Sequence, residues 1–363
     1  MLCDYVIVGS GLYGSVFANE LKKAGRKVVV IERQSKVGGN LRTTSCDGVM
    51  VHEHGPHIFH TKSKKIWDYV NSFVEFWPYR HRVKARYGDK LYTLPFNMST
   101  YYEMWGCTTP EEAVAELDRQ KENIPHPSNL EEQALATIGK DLYQVLVYGY
   151  TKKQWQRDPK TLPASIIRRI PLRMDFNNEY YDDWYQGIPI KGYSHLIEQL
   201  IDGVDVRLNC EVGLNDWRKL GQKLIYSGSI DELFQCRHGH LEYRGLRFES
   251  ETLTGDFQGC SQMNYTSESV PYTRIVEHKH FHSSQPEKTI ITREYPVEWT
   301  PGLTRYYPID DNKNRDLYNQ YHDLVKQARD IIVGGRLGSF KYMDMDTVIG
   351  QALTHSKREI DQK

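Results

Sequence analysis

The sequence predicts an α/β fold in three parts: a strand–helix–strand nucleotide domain, a helical insert domain and an antiparallel β-sheet domain. Three observations carry this expectation. A glycine-rich turn near the start of the chain separates an apolar run from a helical pattern. Apolar residues recur at helical spacing up to about residue 155. Residues 236–295 alternate polar and apolar and are rich in Tyr, Thr, Phe and Val, as strands are.

The first element is DYVIV, residues 4–8, a short β-type run. Gly9, Ser10, Gly11 and Gly14 follow, then SVFANELKKAG closing at Gly25, a second strand KVVVI at 27–31, and Glu32. Gly9 permits the tight turn, Gly11 lets backbone approach a pyrophosphate, and Gly14 lets helix and strand pack closely. The helix N-terminus presents amide N–H groups to phosphate, and Glu32 is placed to accept hydrogen bonds from a ribose. The pattern is that of a Rossmann-like dinucleotide site. Arg33 to Arg42 read RQSKVGGNLR. Their Gly38-Gly39 pair, followed by Asn40, resembles the extended fingerprint of FAD-binding proteins of the glutathione-reductase-like class, which implies FAD.

VHEHGPHIFHT carries His52, His54, His57 and His60, and EHKHFH carries His278, His280 and His282. Neither group has a cysteine pair or an HExxH arrangement, so no metal site is expected. On a strand the second group would face one way. Gly55-Pro56 fixes a loop able to bring His57 or His60 to the flavin ring.

The helical pattern starts with PEEAVAELDRQKEN at 110. A second stretch opens with Ser128 and Glu131 as a capping box and continues through Leu135, Ile138, Leu142, Val145 and Leu146. Pro159, Pro163 and Pro171 then prevent a long helix, and Arg168, Arg169 and Arg173 give that segment a positive face. Short strands are expected at 206–209, 223–226 and 330–333, a last helix from 347, and a frayed end over the final eight residues. The expected domains are 1–80, 190–235 and 316–363 for the nucleotide fold, 81–189 for the helical part with an arginine loop at about 163–179, and 236–315 for the sheet.

Composition bounds the function. Lys+Arg and Asp+Glu are both 47, which argues against a dedicated nucleic-acid binder. No apolar run reaches the length of a membrane span, and MLCDYVIVGSG reads as a strand and not as a signal peptide. Six scattered cysteines without a CxxC pair fit reduced thiols and a cytoplasmic protein.

GSGLYGSVFANELKKAG, VGGN, GPHIFHT, YGYTKKQW, RRIPLR, YYDDWYQGIP, TRIVEHKHF, YYPI and GRLGSFKYMDMD together resemble bacterial UDP-galactopyranose mutases, in family order and along nearly the whole chain. The resemblance implies redox-neutral interconversion of UDP-galactopyranose and UDP-galactofuranose. That reaction uses reduced FAD, runs through a flavin N5–sugar adduct, is carried out by a homodimer, and supplies galactofuranose for cell-surface polysaccharide. It implies Arg169 and Arg274 as the arginines on the diphosphate. It also implies Tyr150, Thr151 and Trp155 beside the sugar and uridine, and Tyr180 on the uracil. Tyr307 and Tyr342 would bond the diphosphate, with Asp344 near the sugar. Arg244, Asn264, Arg336 and Met343 would lie around flavin or substrate, and His57 and His60 in the flavin loop. Arg305 departs from the family, where an acid often precedes YYPI. Adjacent Arg168 and Arg169 leave two arginines for one phosphate contact. A related mutase acting on UDP-N-acetylgalactosamine, and an FAD-dependent oxidoreductase, remain as alternatives.

Overall fold

Five short strands build a parallel sheet in the order Asp205–Arg207, Val28–Ile31, Cys3–Val8, Gly221–Tyr226, Ile331–Val333. The computed structural model describes residues 2–167, 171–214, 216–282 and 286–361. Parallel strands need both faces covered. Ile7, Val28 and Val30 pack with Phe17 of helix Leu12–Lys23 on one face, and Val6, Val29 and Ile31 with Trp217, Phe234 and Tyr321 on the other. Two of the five strands come from the first 31 residues; the rest arrive from far along the chain.

The large sheet has seven strands: Tyr307–Pro308, Tyr243–Thr254, Lys288–Glu298, Arg274–Glu277, Gln262–Tyr265, Val83–Tyr87 and Lys90–Leu94. It departs from the sequence expectation in two ways. Residues 83–94, assigned above to the helical part, form a hairpin in the sheet, with Gly88 at φ +59° in its turn. Gln262–Tyr265 pairs with Val83–Tyr87 in parallel, so the sheet is mixed. A smaller sheet, Phe59–Thr61 with Tyr185–Pro189 and Phe76–Trp77, joins the glycine-loop side of the molecule to the segment after the helices.

The helical part holds Met98–Trp105, Pro110–Gln120 and Leu130–Thr137. Asn129, not Ser128, caps the third: its side chain accepts from the Glu132 N–H at 3.0 Å, while Ser128 donates to the Glu132 carboxylate. The cap sits one residue later than read, and without the reciprocal bond of a box, because Asn129 reaches the third helical amide and Leu130 is buried in the core. Gly139 (φ +79°) then breaks the long helix; a Cβ there would lie 2.5 Å from Gln120 Cβ. Beyond it, Tyr143–Tyr148 winds as a π-helix and runs into helix Gly149–Trp155.

Three further expectations change. Arg173 is not an open positive charge: it donates to Asn177 O, Glu179 O and Asp182. EHKHFH is not a strand; His278–Phe281 forms a 3-10 turn, in which His278 meets Thr292 and His280 meets Asp256. The C-terminus does not fray from 356, because helix Met345–Asp361 continues and buried Glu359 accepts from Tyr5 Oη at 3.3 Å and Lys223 Nζ at 2.5 Å. None of the six cysteines is in a disulfide.

Candidate active site

The glycine turn has the geometry a dinucleotide needs. Gly9 has φ +97°, and a Cβ on Gly14 would stand 2.1 Å from Gly9 O, so neither tolerates a side chain. A Cβ on Gly11 would meet nothing within 4 Å, which leaves open approach to the backbone at the N-cap of helix Leu12–Lys23. The second glycine pair folds onto the first: Gly38 N donates to Ser10 O at 3.1 Å, and a Cβ on Gly39 would lie 3.5 Å from Gly11 Cα. Buried Glu32 accepts from Ser10 N and Ser10 Oγ on one oxygen and from Gln34 N on the other. Arg33 lies outward and reaches Glu232 at 3.5 Å.

Asn40 donates to Arg305 O at 3.4 Å. Arg305 itself is buried between Asp231 and Glu232, with its guanidinium over the Trp299 ring at 4.5 Å. Two acids thus absorb the unexpected arginine.

The second group gathers on strand Arg274–Glu277. Asn264, Arg274 and Glu294 are directly opposed across three neighbouring strands and lie in one row. Arg274 donates through Nε and Nη2 to Glu294 Oε2 at 2.8 and 2.7 Å. Glu294 is 1% exposed. Burial works against the Arg274 charge, but Glu294 outweighs it and holds the arginine ionised. Asn264 accepts from Gln262 Nε2 at 2.9 Å.

Tyrosines surround this arginine. Tyr150, Tyr180, Tyr307 and Tyr342 all feel the Arg274 charge. Loss of water around the hydroxyls raises the pKa of each, that of Tyr307 to about 12, even though Tyr180 and Tyr342 are 40% and 54% exposed, so all four keep their protons near neutrality and can donate to an anion. The rings of Tyr307 and Tyr342 stack at 6.0 Å, and Arg336 lies over Tyr342 at 4.8 Å. Arg336 also donates to Tyr306 O at 2.9 Å. His57 stands beside Arg336 with its Nδ1 2.8 Å from Gly55 O; burial and then Arg336 push its pKa down to about 3, so the ring is neutral. His60 pairs with Asp183 at 2.5 Å and stacks on Tyr181 at 3.7 Å. Asp344 is exposed beside Tyr181 and Tyr342, where Val348 N donates to its carbonyl at the start of the last helix.

Other expected residues are fixed by their own neighbours. Thr151 is buried, Trp155 packs against the helical core, and Met343 packs against the core beside the parallel sheet. Arg244 lines a cleft with Gln156, Arg157, Glu242, Glu298 and Trp299, and reaches Gln156 Oε1 at 3.4 Å. Arg169, and Arg168 beside it, lie outside the described residues. Residues that sequence reading missed are Glu294, Tyr181, His81 and Asp183. Only the strand register reveals Glu294, since it follows Arg274 by 20 positions.

The chain is similar to known proteins along nearly its whole length. A family model described as UDP-galactopyranose mutase matches residues 145–342, and one described as an NAD(P)-binding Rossmann-like domain matches residues 7–73. A probable UDP-galactopyranose mutase of Klebsiella pneumoniae is 40% identical over 358 residues, covering 96% of this chain and 93% of the relative. A dTDP-fucopyranose mutase of Escherichia coli is 34% identical over 363 residues, covering 96% of each. A crystal structure of reduced UDP-galactopyranose mutase has the same fold, with a TM-score of 0.78 at 13% identity over 99% of this chain and 96% of that one.

Proposed function

The chain belongs to the UDP-galactopyranose mutase family of isomerases, and from that premise we propose that it interconverts UDP-galactopyranose and UDP-galactofuranose with reduced FAD as cofactor. The observation that carries this reading is Arg274, held ionised by Glu294 and ringed by four protonated tyrosines beside the neutral His57 loop. That is a site for a diphosphate next to a planar ring.

The residues present fit FAD. Open backbone at Gly11, the close approach of Gly39, and the Glu32 carboxylate at the turn suit its pyrophosphate and ribose. Gly9, Ser10, Gly11, Gly14, Glu32, Arg33, Gly39 and Asn40 would hold that end. His57, His60, Arg336 and Met343 would border the ring, with Arg244 at its margin. Bound in its reduced form, FAD supplies the nucleophile for the anomeric carbon, and no protein nucleophile is required.

The chain's own residues then have three tasks. Arg274 uses Nε and Nη2 on Glu294, so Nη1 is the nitrogen left to meet phosphate. As the diphosphate leaves, negative charge grows on it, and Arg274 with Tyr307 and Tyr342 stabilises that charge; Arg169, outside the described residues, is the second guanidinium that the family resemblance assigns. Tyr150, Thr151, Trp155 and Tyr180 form the nucleoside wall, while Asn264, Asp344 and His60 face the sugar. Packing by Tyr181 and buried His81 keeps water from one side.

The 34% identical relative named dTDP-fucopyranose mutase favours a second reading: the same ring contraction on a thymidine-linked 6-deoxy sugar. Product analysis decides. Dithionite-reduced protein should interconvert the two UDP-galactose isomers, and oxidised protein should not. UDP-N-acetylgalactosamine and dTDP-fucose run in parallel to set the substrate. Net sugar oxidation with peroxide release, or no isomerisation of any of these, would sink the proposal. A homodimer, cytoplasmic residence and a polysaccharide destination for the product belong to the same reading; light scattering tests the first.

A further inference from the structure

The loop at 53–57, which carries His57, is held from two sides. At its tip Gly55 has φ +89°, and a Cβ there would stand 3.2 Å from Glu294 Oε2 and 3.5 Å from Arg274 Nη2. The loop therefore packs against the ion pair of the site. At its base, the His57 backbone N–H donates to His52 Nδ1 at 3.0 Å. The His52 backbone N–H in turn donates to His278 Nδ1 at 3.3 Å, and His278 Nε2 meets Thr292 Oγ1 at 2.8 Å.

These contacts fix the protons. A backbone amide only donates, so Nδ1 of His52 and of His278 must carry a lone pair. Each neutral ring then holds its proton on Nε2. For His278 that proton goes to Thr292. For His52, Nε2 is buried and has no hydrogen-bond partner. The His52 ring is 1% exposed, stacked on Phe281 at 4.9 Å and edge-on to Tyr193 at 5.8 Å. A hydrocarbon would pack there equally well, without an orphaned donor. What histidine adds is one acceptor, aimed at the His57 amide at the base of the loop.

We propose that His52 is a positioning residue of the active site: its Nδ1 fixes the backbone of the 53–57 loop, and through it the His57 ring and the Gly55 contact with Arg274 and Glu294. His52 touches neither cofactor nor substrate itself. The inference rests on the reading of this loop as the one that faces the flavin.

Asparagine tests it, because its Oδ1 takes nearly the place of a histidine Nδ1 and leaves nothing at Nε2. His52→Leu keeps the apolar bulk and removes the acceptor. Three readouts are compared: amide hydrogen exchange across 53–58, FAD affinity of the apoprotein by flavin fluorescence, and kcat/KM of the reduced enzyme. His52→Leu should speed exchange at least about tenfold and weaken FAD binding and kcat/KM by a similar factor, whereas His52→Asn stays within about threefold of the parent on all three. If His52→Leu fails to fold, His52→Gln replaces it; its acceptor sits at the Nε2 position, and the same losses are expected. Equal behaviour of the Asn and acceptor-lacking variants, both normal or both impaired, overturns the proposal. So does a split in exchange with unchanged FAD affinity and turnover, since the loop would then be fixed without positioning anything. Should the parent protein isomerise no sugar while exchange and FAD affinity still split, the substrate reading falls and the role of His52 stands.

Discussion

Arg274 gives two nitrogens to a single oxygen of a glutamate that water does not reach. A lysine has one point charge and cannot both grip Glu294 and present a second donor to a ligand. Arg274→Ala should therefore lower kcat/KM by about 10²–10³-fold, the range for one lost charge-stabilising donor, and Arg274→Lys should recover little of it. Flavin absorbance should show FAD still bound in both variants; near-parent turnover in either removes the diphosphate-clamp argument. At this scale the motif TRIVEHKHF made Arg274 legible. Its partner was not, because Glu294 is one polar residue among several in a long alternating strand. Pairing 20 positions away depends on register, which single residues do not announce.

The segment from Tyr143 to Trp155 was read as one helix, and its apolar spacing is real. The π winding over Tyr143–Tyr148 was not legible, since a shift of the backbone bond from i+4 to i+5 leaves little trace in side-chain pattern. Its consequence is local. Gly149 passes so close to the loop after Gln262–Tyr265 that a Cβ would lie 2.3 Å from Thr266 O. One turn on, Lys153 donates to Tyr265 O at 2.7 Å and Tyr272 O at 2.9 Å. This ammonium pins the Tyr150 helix to the connection that leads into Arg274. Lys153→Met would leave both carbonyls without that partner and should cost about 2–3 kcal/mol of stability, read as a lower urea midpoint at unchanged slope. An unchanged midpoint would mean that the carbonyls find water at no cost. Trp155 closes this element by packing against the helical core, while Tyr150 lies within reach of the Arg274 charge.

Across the whole molecule, buried histidines tie stability to pH. Burial is the main cause in each case: it holds the pKa of His54 down to about 4, those of His57, His81 and His278 to about 3, and that of His52 well below its ordinary value. The unfolded chain binds these protons near pH 6.5 and the folded chain does not. Their full contribution is present above about pH 6.5 and is lost as pH falls toward the folded values, by up to about 1.4 kcal/mol per unit for each group. The urea midpoint should thus drop steeply between pH 7 and 5; a flat midpoint across that window would show these rings titrating normally. By itself the sequence determined the nucleotide fold, the glycine turn and the helical pattern between the sheets. Those features are local: strand and helix periods and glycine spacings are written in neighbouring residues. Only the tertiary structure decided that 83–94 joins the large sheet, that Asn264, Arg274 and Glu294 form one row, and that His52 accepts from the His57 amide. Each of these depends on which distant segments meet, and close packing of buried polar groups selects that meeting once the chain has folded.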